Sequence, residues 1–363
     1  MAEQDTKQTD RAEPPAYTSR GISRRGMLGA AGLAAGVAGL YTLGFDASPA
    51  GASTIVGPIM PNGNSGDSDL VRQAIASLPM TGGEVILGPG RFVWTTAVGI
   101  IDKNNVTIRG SGRDATVIDA SPTAGVLDLA TPDPRPLNDN FGVFYFDTTM
   151  TMPTSGFELS DMTIIAVPGG STRNPAQKGV YFGFCSDVEV RRCKFKPFKP
   201  PNADNAEFLY ADFGDRFTSV RCQNYMYADN EFDGTNGSSG LAFQIDFNSP
   251  YRGISIVNNY FHDLQVPATD IAGPFGMVIA HNRLSRCAGG FIVGEDVALP
   301  AGPTTPDYVN YGDIVISDNV FDQLGYPLND ASMRGIALEG SADLGVPDDR
   351  GALVANNIFY NTV

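Results

Sequence analysis

The 363-residue chain is 42% hydrophobic and 18% charged, enough apolar matter for a packed body and too much for a disordered one. Its net charge of −15 repels phosphate backbones and argues against nucleic acid as a partner. Four cysteines (Cys185, Cys193, Cys222, Cys287) form no C-x-x-C pair, and with only His262 and His281 to join them they argue against a zinc site. They read as small buried hydrophobes, with a Cys193–Cys222 bridge as the minor alternative.

Residues 1–52 read as an address and flexible N-terminus. Ser23-Arg24-Arg25-Gly26 opens an apolar run from Met27 to Leu43, and Ala50-Gly-Ala52 follows as a small-residue cleavage pattern. This order resembles a bacterial twin-arginine export signal. The run is shorter than the ~20 residues a membrane span needs, so no stable insertion is expected after cleavage. The resemblance implies the twin-arginine translocation machinery as a transient partner, an extracytoplasmic destination, and folding in a reducing compartment without disulfides.

Residues 53–80 read as an N-terminal cap. Ser68–Leu78 forms an amphipathic helix with Leu70, Val71, Ala74, Ile75 and Leu78 on one face and Asp67 or Ser68 as N-cap. Thr81-Gly82-Gly83 ends it, a strand follows from Glu84 through Pro89-Gly90-Arg-Phe92, and then comes Asn105-Val-Thr-Ile-Arg-Gly110-Ser-Gly112. Helix, Gly-Gly-x-Val-x-Leu-x-Pro-Gly-x-Phe and Asn-Val-Thr-Ile-x-Gly-x-Gly together resemble the start of the pectate-lyase-like superfamily. The resemblance is close over 66–118 and looser to 363. It implies an all-β chain, a right-handed single-stranded parallel β-helix with an N-terminal capping helix, over residues 81–363. It is specific for fold and not for reaction, because that superfamily hosts lyases, hydrolases, epimerases, esterases and tailspikes.

A repeated phrase supports the solenoid independently. Alternating apolar residues lead to Asn, a spacer and a bulky apolar residue, centred on Asn230, Asn259, Asn282, Asn319 and Asn357. Their spacings of 29, 23, 37 and 38 residues are those of a stacked array. One coil cannot bury its apolar side alone, but stacked coils can. The asparagines are expected to form a hydrogen-bonded ladder, with Phe232, Phe261, Phe321 and Phe359 stacked inside. Earlier coils place Asp161 and Cys193 near the Asn position. Insertions fall in 168–177, 197–206, 298–311 and 340–350, and on a solenoid these gather to wall a groove. No closing cap is evident after Asn357, so the expectation is either a cap of unrecognised form or association of that end with another chain.

A second strand per coil carries the candidate chemistry: 180–185, 209–213, 241–247, 291–296 and 336–339. Period-two alternation buries Leu209, Ala211 and Phe213 and turns Tyr210 and Asp212 outward. It likewise turns Gln244, Asp246 and Glu339 outward, with Glu295 or Asp296 between. The expected result is a column of acids, with Asp215 in a following turn as a further member. Strands about 4.8 Å apart bring such carboxylates within the ~5–9.5 Å that glycoside hydrolysis uses. Crowding would raise some of their pKa values, as a general acid needs.

Carboxylates of this kind also suit Ca²⁺. In uronate lyases of the superfamily, the resemblance implies Ca²⁺ acidifying the sugar and Arg or Lys removing the proton; Arg216, Arg252 and Arg334 are placed for that. The polygalacturonase motifs are absent, and Arg173-Asn-Pro175-Ala-Gln-Lys178 is only a near miss to the pectate-lyase pattern. Trp94, Tyr181 and Tyr210 are candidates to stack on sugar rings, Lys194, Lys196 and Lys199 form a small basic patch, and His262-Asp263 could be a base and its orienter. The expectation is a secreted enzyme cleaving a polysaccharide on the solenoid flank, hydrolase slightly favoured, with a Ca²⁺-assisted lyase or a non-catalytic glycan-binding solenoid as alternatives.

Overall fold

The computed structural model describes residues 54–64, 66–120, 142–148, 152–166, 178–197, 208–211, 222–235, 243–245, 252–272, 275–294, 312–325, 334–339 and 351–361. Among them the chain is almost all β, with one helix. The strands lie in three parallel sheets: sheet 1 with ten strands, sheet 2 with nine and sheet 3 with eight. The chain visits them in turn. One coil runs Arg252–Val257 (sheet 1), Tyr260–His262 (sheet 2) and Pro267–Ala272 (sheet 3), and Phe275–Ala280 begins the next directly beneath Arg252–Val257. This is a parallel β-helix, as the repeats required.

Three strands make a coil, not two. The Asn phrase is not a single strand but a corner: its apolar run ends sheet 1 and its bulky residue sits in sheet 2. Two residues turn the corner, and the first is left-handed in every coil from Asp161 down: Asp161, Arg192, Asp229, Asn258, His281, Asp318 and Asn356 have φ between 51° and 62°. Asp and Asn tolerate that region best among residues with a Cβ, which explains most of the row. The second corner residue is the ladder asparagine. Asp161 therefore lies one step before the ladder, where Met162 stands, while Cys193 is in line with Asn230.

The ladder forms as expected. Asn259, Asn282 and Asn319 each accept, at Oδ1, the main-chain N–H of the asparagine above (2.9, 2.8 and 2.9 Å), and Asn357 does so at 3.1 Å. Each Nδ2 donates back to a main-chain carbonyl, as from Asn282 to Ile256 at 2.8 Å. Asn230, Asn259, Asn282 and Asn319 are 0–1% exposed, which is tolerable only because these bonds are made. At the top, Asn230 accepts the N–H of Cys193 and the ladder stops. Next to it the rings of Phe195, Phe232 and Phe261 stack at 5.2 and 4.8 Å, and Phe321 stacks on Phe359 at 4.4 Å.

The helix, α1 (Asp67–Ser77), packs against the first strands, burying Val71, Ala74 and Ile75. Its N-cap is Gly66, without a side-chain cap bond. Asp67 and Ser68, expected to cap it, hold the lid to the body instead. Asp67 accepts the N–H groups of Asn62 (2.8 Å) and Val93 (2.9 Å), and Ser68 bonds Thr96 (3.0 Å). Sheet 1 begins at Ile55–Ile59, before the helix. Gly82, with φ +100°, ends this segment: a Cβ there would lie 2.0 Å from the Asn104 carbonyl oxygen.

At the far end the inward-facing Val354 and Phe359 of the last described coil are 46% and 47% exposed, against 0% for Ile316 and Phe321 one coil above. Leu338, level with the buried Val293, is likewise exposed. All four cysteines are free and buried. Cys193 stands at the sheet 1–sheet 2 corner while Cys222 precedes the strand Gln223–Ala228, so the expected bridge between them is not formed. Burial pushes the thiols of Cys193, Cys222 and Cys287 up to about 12, which leaves them inert as nucleophiles.

Candidate functional site

Sheet 3 was expected to carry the acid column. Val180, Leu209, Phe243, Thr269, Phe291 and Ile336 lie level, as do Tyr181, Tyr210, Gln244, Asp270, Ile292 and Ala337. Leu209 and Ala211 are buried, as alternation predicts. The strand Pro267–Ala272 was not anticipated, and it separates the coil of Gln244 from that of Ile292 by a full turn. Glu339 pairs with Gly294, which in turn pairs with Ala272, so the two coils above it hold no acid at its level. Asp212, Asp215, Arg216, Asp246, Glu295 and Asp296 lie outside the described residues, as do the side chains of Tyr210, Gln244, Arg252 and Glu339. Arg334 is exposed, Tyr181 is only 6% exposed, and Trp94 is buried edge-on against Phe144.

One acid near the top of sheet 3 is buried. Asp147 follows Phe146, which pairs with Phe182, and it is buried. Its Oδ1 accepts the N–H groups of Thr148 (2.7 Å) and Phe184 (3.1 Å), so it braces the turn of the next coil.

Among the described residues, the largest group of interacting charges lies on the outer face of sheet 2. The residues flanking each buried phenylalanine point outward, and stacking puts them in two rows. Lys194, Glu231, Tyr260 and Arg283 are level in one; Asp233, His262, Ser285 and Asp322 are level in the other. Lys194 bonds Glu231 through Nζ and lies 3.2 Å from Asp233, while Lys196 lies 3.4 Å from Asp233. His262, 8% exposed, has Nδ1 at 2.8 Å from Asp263 Oδ2 and Nε2 at 3.3 Å from Glu231 Oε1. Its ring stacks on Tyr260 at 4.6 Å. Arg113 reaches Glu231 from an earlier coil at 3.4 Å, and Arg286 grips Asp263 with two bonds of 2.6 Å.

These partners set the charges. Arg286 hydrogen bonds hold the Asp263 carboxyl below its usual range, outweighing burial. Burial pushes Glu231 up, but bonds from Lys194 and His262 outweigh it and lower the net value. Burial likewise opposes ionisation of Asp233, yet Thr235, His262 and Lys194 bring it down to about 2. For Lys194, burial favours the neutral amine, but Glu231 and Asp233 prevail and raise its value. On sheet 1, by contrast, burial raises Glu189, which shares Arg191 with Glu158 at 3.1 and 2.8 Å.

Glu231, Asp233 and His262 offer three ligand atoms within 4.8 Å of one another. The Lys194 ammonium already bridges the two carboxylates, and an imidazole is a poor donor for Ca²⁺. The group suits proton transfer better: an oriented imidazole, ionised carboxylates and cations near them.

Sequence reading found His262-Asp263 and the lysine patch separately and missed Glu231 and Asp233. The signal was in the repeat itself. Laying Cys193-Lys-Phe195, Asn230-Glu-Phe232 and Asn259-Tyr-Phe261 one above another brings Lys194 level with Glu231, with Asp233 and His262 next to their phenylalanines.

No family model matches the chain, and none of the curated proteins matches it. Solved structures similar to it include ORF18 of Geobacillus virus E2, with 15% identity and TM-score 0.32, covering 80% of this chain and 56% of that one. The chain thus spans a little over half the length of that protein. The A-module of Azotobacter vinelandii mannuronan C-5 epimerase AlgE6 is 14% identical, with TM-score 0.27, covering 82% of this chain and 94% of that one. The catalytic unit of a GH87 alpha-1,3-glucanase from Streptomyces thermodiastaticus is 13% identical, with TM-score 0.19, covering 87% and 69%.

Proposed function

We propose that this chain acts on a polysaccharide, by proton transfer at the Lys194–Glu231–Asp233–His262 group on the outer face of sheet 2. The placement of His262 carries the reading: its two nitrogens lie 2.8 and 3.3 Å from carboxylate oxygens, beside a lysine that bridges two acids. The coils below put Ser285 and Asp322 at that level, so the arrangement is not a repeat feature. A solenoid flank suits an extended polymer. The chain also runs on from Lys194–Pro197 and Thr235 into connections that the shortest coil lacks, 198–207 and 236–242.

Elimination on an acidic sugar polymer fits this group best. Removing a proton beside a sugar carboxylate needs a base, which His262 supplies, and a cation near that carboxylate. Lys196 and Arg113, 43% and 38% exposed, supply such charges. Hydrolysis by a carboxyl pair needs one acid held protonated, and Glu231, Asp233 and Asp263 are all moved the other way. A second reading keeps hydrolysis through Asp212 and Asp246, because Ala211 and Ile245, the residues before them, lie level in adjacent strands.

Purified protein is to be incubated with acidic and neutral polysaccharides, with and without a chelator. An ultraviolet-absorbing unsaturated product from an acidic polymer, lost in His262→Gln, is expected. New reducing ends without unsaturation, lost in Asp212→Asn and Asp246→Asn, would transfer the chemistry to sheet 3. Activity that disappears with chelator would bring Ca²⁺ back, and binding without turnover would leave a glycan-binding solenoid. Export belongs to the same proposal: replacing Arg24 and Arg25 by Lys is expected to hold the protein in the cytoplasm.

A further inference from the structure

Asp263 directly follows His262, and neighbouring residues of a strand ordinarily face opposite sides. Here Asp263 has φ 59°, and this left-handed turn brings its carboxylate beside the ring of its own neighbour. The same corner position is left-handed in the next coil, at Arg286 (φ 53°). Arg286 Nε donates to Asp263 Oδ1 and Nη2 to Oδ2, each at 2.6 Å. Thr235 adds a bond to Oδ2 at 3.3 Å from the coil above. The carboxylate is thus fixed at both oxygens before it meets His262.

Two other acids face the ring. Glu231 lies at Nε2, at the longer 3.3 Å, and accepts from it only when the ring carries both protons; in the neutral ring Lys194 and Arg113 meet its charge instead. Asp233 lies 3.8 Å from Nδ1, and its Oδ1 accepts the Thr235 N–H at 3.0 Å. The 2.8 Å contact to Asp263 is therefore the one that decides where a ring proton sits.

We infer that Arg286 is a positioning residue for His262, acting through Asp263: it locks the carboxylate that keeps the proton on Nδ1 and turns Nε2 toward the Glu231 side. This rests on the reading of His262 as the proton-transfer group. A fixed guanidinium–carboxylate–imidazole line sets tautomer and ring angle together, which a single carboxylate on a corner does not.

Nitrogen NMR of the ring tests it without any substrate. The chain has two histidines, and exposed His281 serves as the internal reference. In the neutral ring, His262 is expected to be the Nδ1-protonated form in wild type and a mixture in Arg286→Ala, with His281 unchanged. Turnover should fall on the order of 10²-fold with little change in KM, as for a misplaced catalytic group. Arg286→Lys, which keeps the charge and loses the second bond, should recover part of both.

An unchanged His262 spectrum in Arg286→Ala overturns the inference. Should that variant fail to fold, Arg286→Lys and Asp263→Asn decide: loss of the Nδ1-protonated form supports it, and retention in both overturns it. A spectrum that shifts as expected in a protein inert toward every polymer would uphold the positioning and defeat the enzymatic reading.

Discussion

Two sets of buried polar side chains lie a few residues apart in the same coils, and they differ in one respect. The asparagines of the ladder recur at the same corner from Asn230 to Asn357, and Asn230, Asn259, Asn282 and Asn319 are each bonded to the coil above and the coil below. Among the described residues the group around His262 occurs once, and the levels below it hold Ser285 and Asp322. In a stacked fold, a buried polar group that repeats is satisfied by its own copies and serves the stack. One that does not repeat has to find partners of other kinds, and it finds Lys194, Arg113 and Arg286. Repetition thus separates the ladder from the proposed site where burial alone does not.

The comparison breaks first at the ladder. Asn282→Ala would strip the Asn259 N–H and amide of an acceptor and the Ile256 carbonyl of a donor. A loss of about 3–5 kcal/mol is expected, with the thermal midpoint as the measure. A fall below about 1 kcal/mol would mean that the ladder decorates the stack and does not hold it.

Acid is the next lever. Asp233 sits at about 2 in the folded chain against an ordinary 3.8, so its carboxylate favours the folded state above pH 4 and loses that effect as pH falls toward 2. The loss is on the order of 2 kcal/mol, and Glu231 and Asp263, also lowered, act in the same direction. Unfolding at pH 6 and pH 3 should show the difference shrink in Asp233→Asn. A variant with the full wild-type pH response would remove Asp233 from the ion network.

His262→Gln sharpens the contrast. The ladder predicts that a buried polar residue is needed for stability; the single cluster predicts that it is needed for turnover. Stability should change by about 1 kcal/mol or less while activity disappears. Smallest of all is His281→Asn. His281 occupies the left-handed corner (φ 58°) that asparagine tolerates better, and a gain of a few tenths of a kcal/mol is expected.

Much of the fold was legible because a solenoid writes its geometry into one period. The Asn-x-Phe phrase gave the ladder, the aromatic stack and the number of coils after Asn230. What misled was composition: Pro267–Ala272 presents Thr269 inward, level with the apolar Val180, Leu209 and Phe291 of other coils, so a whole sheet 3 strand went unseen. The Asp67 reading failed for a related reason. Local propensity names it an N-cap, but its carboxylate bonds Val93 across the cap instead.

The sequence by itself determined the architecture, the polar ladder and the apolar interior, because those depend on what each residue does at a repeating position. It also named His262-Asp263 and Lys194, since neighbours in the chain are visible as neighbours. Only the tertiary structure decided that these belong together with Glu231, Asp233 and Arg286. Their proximity comes from register between coils, and register is fixed by how connections of unequal length close each turn. A chain read along its length cannot measure that closure; stacked strands about 4.8 Å apart do.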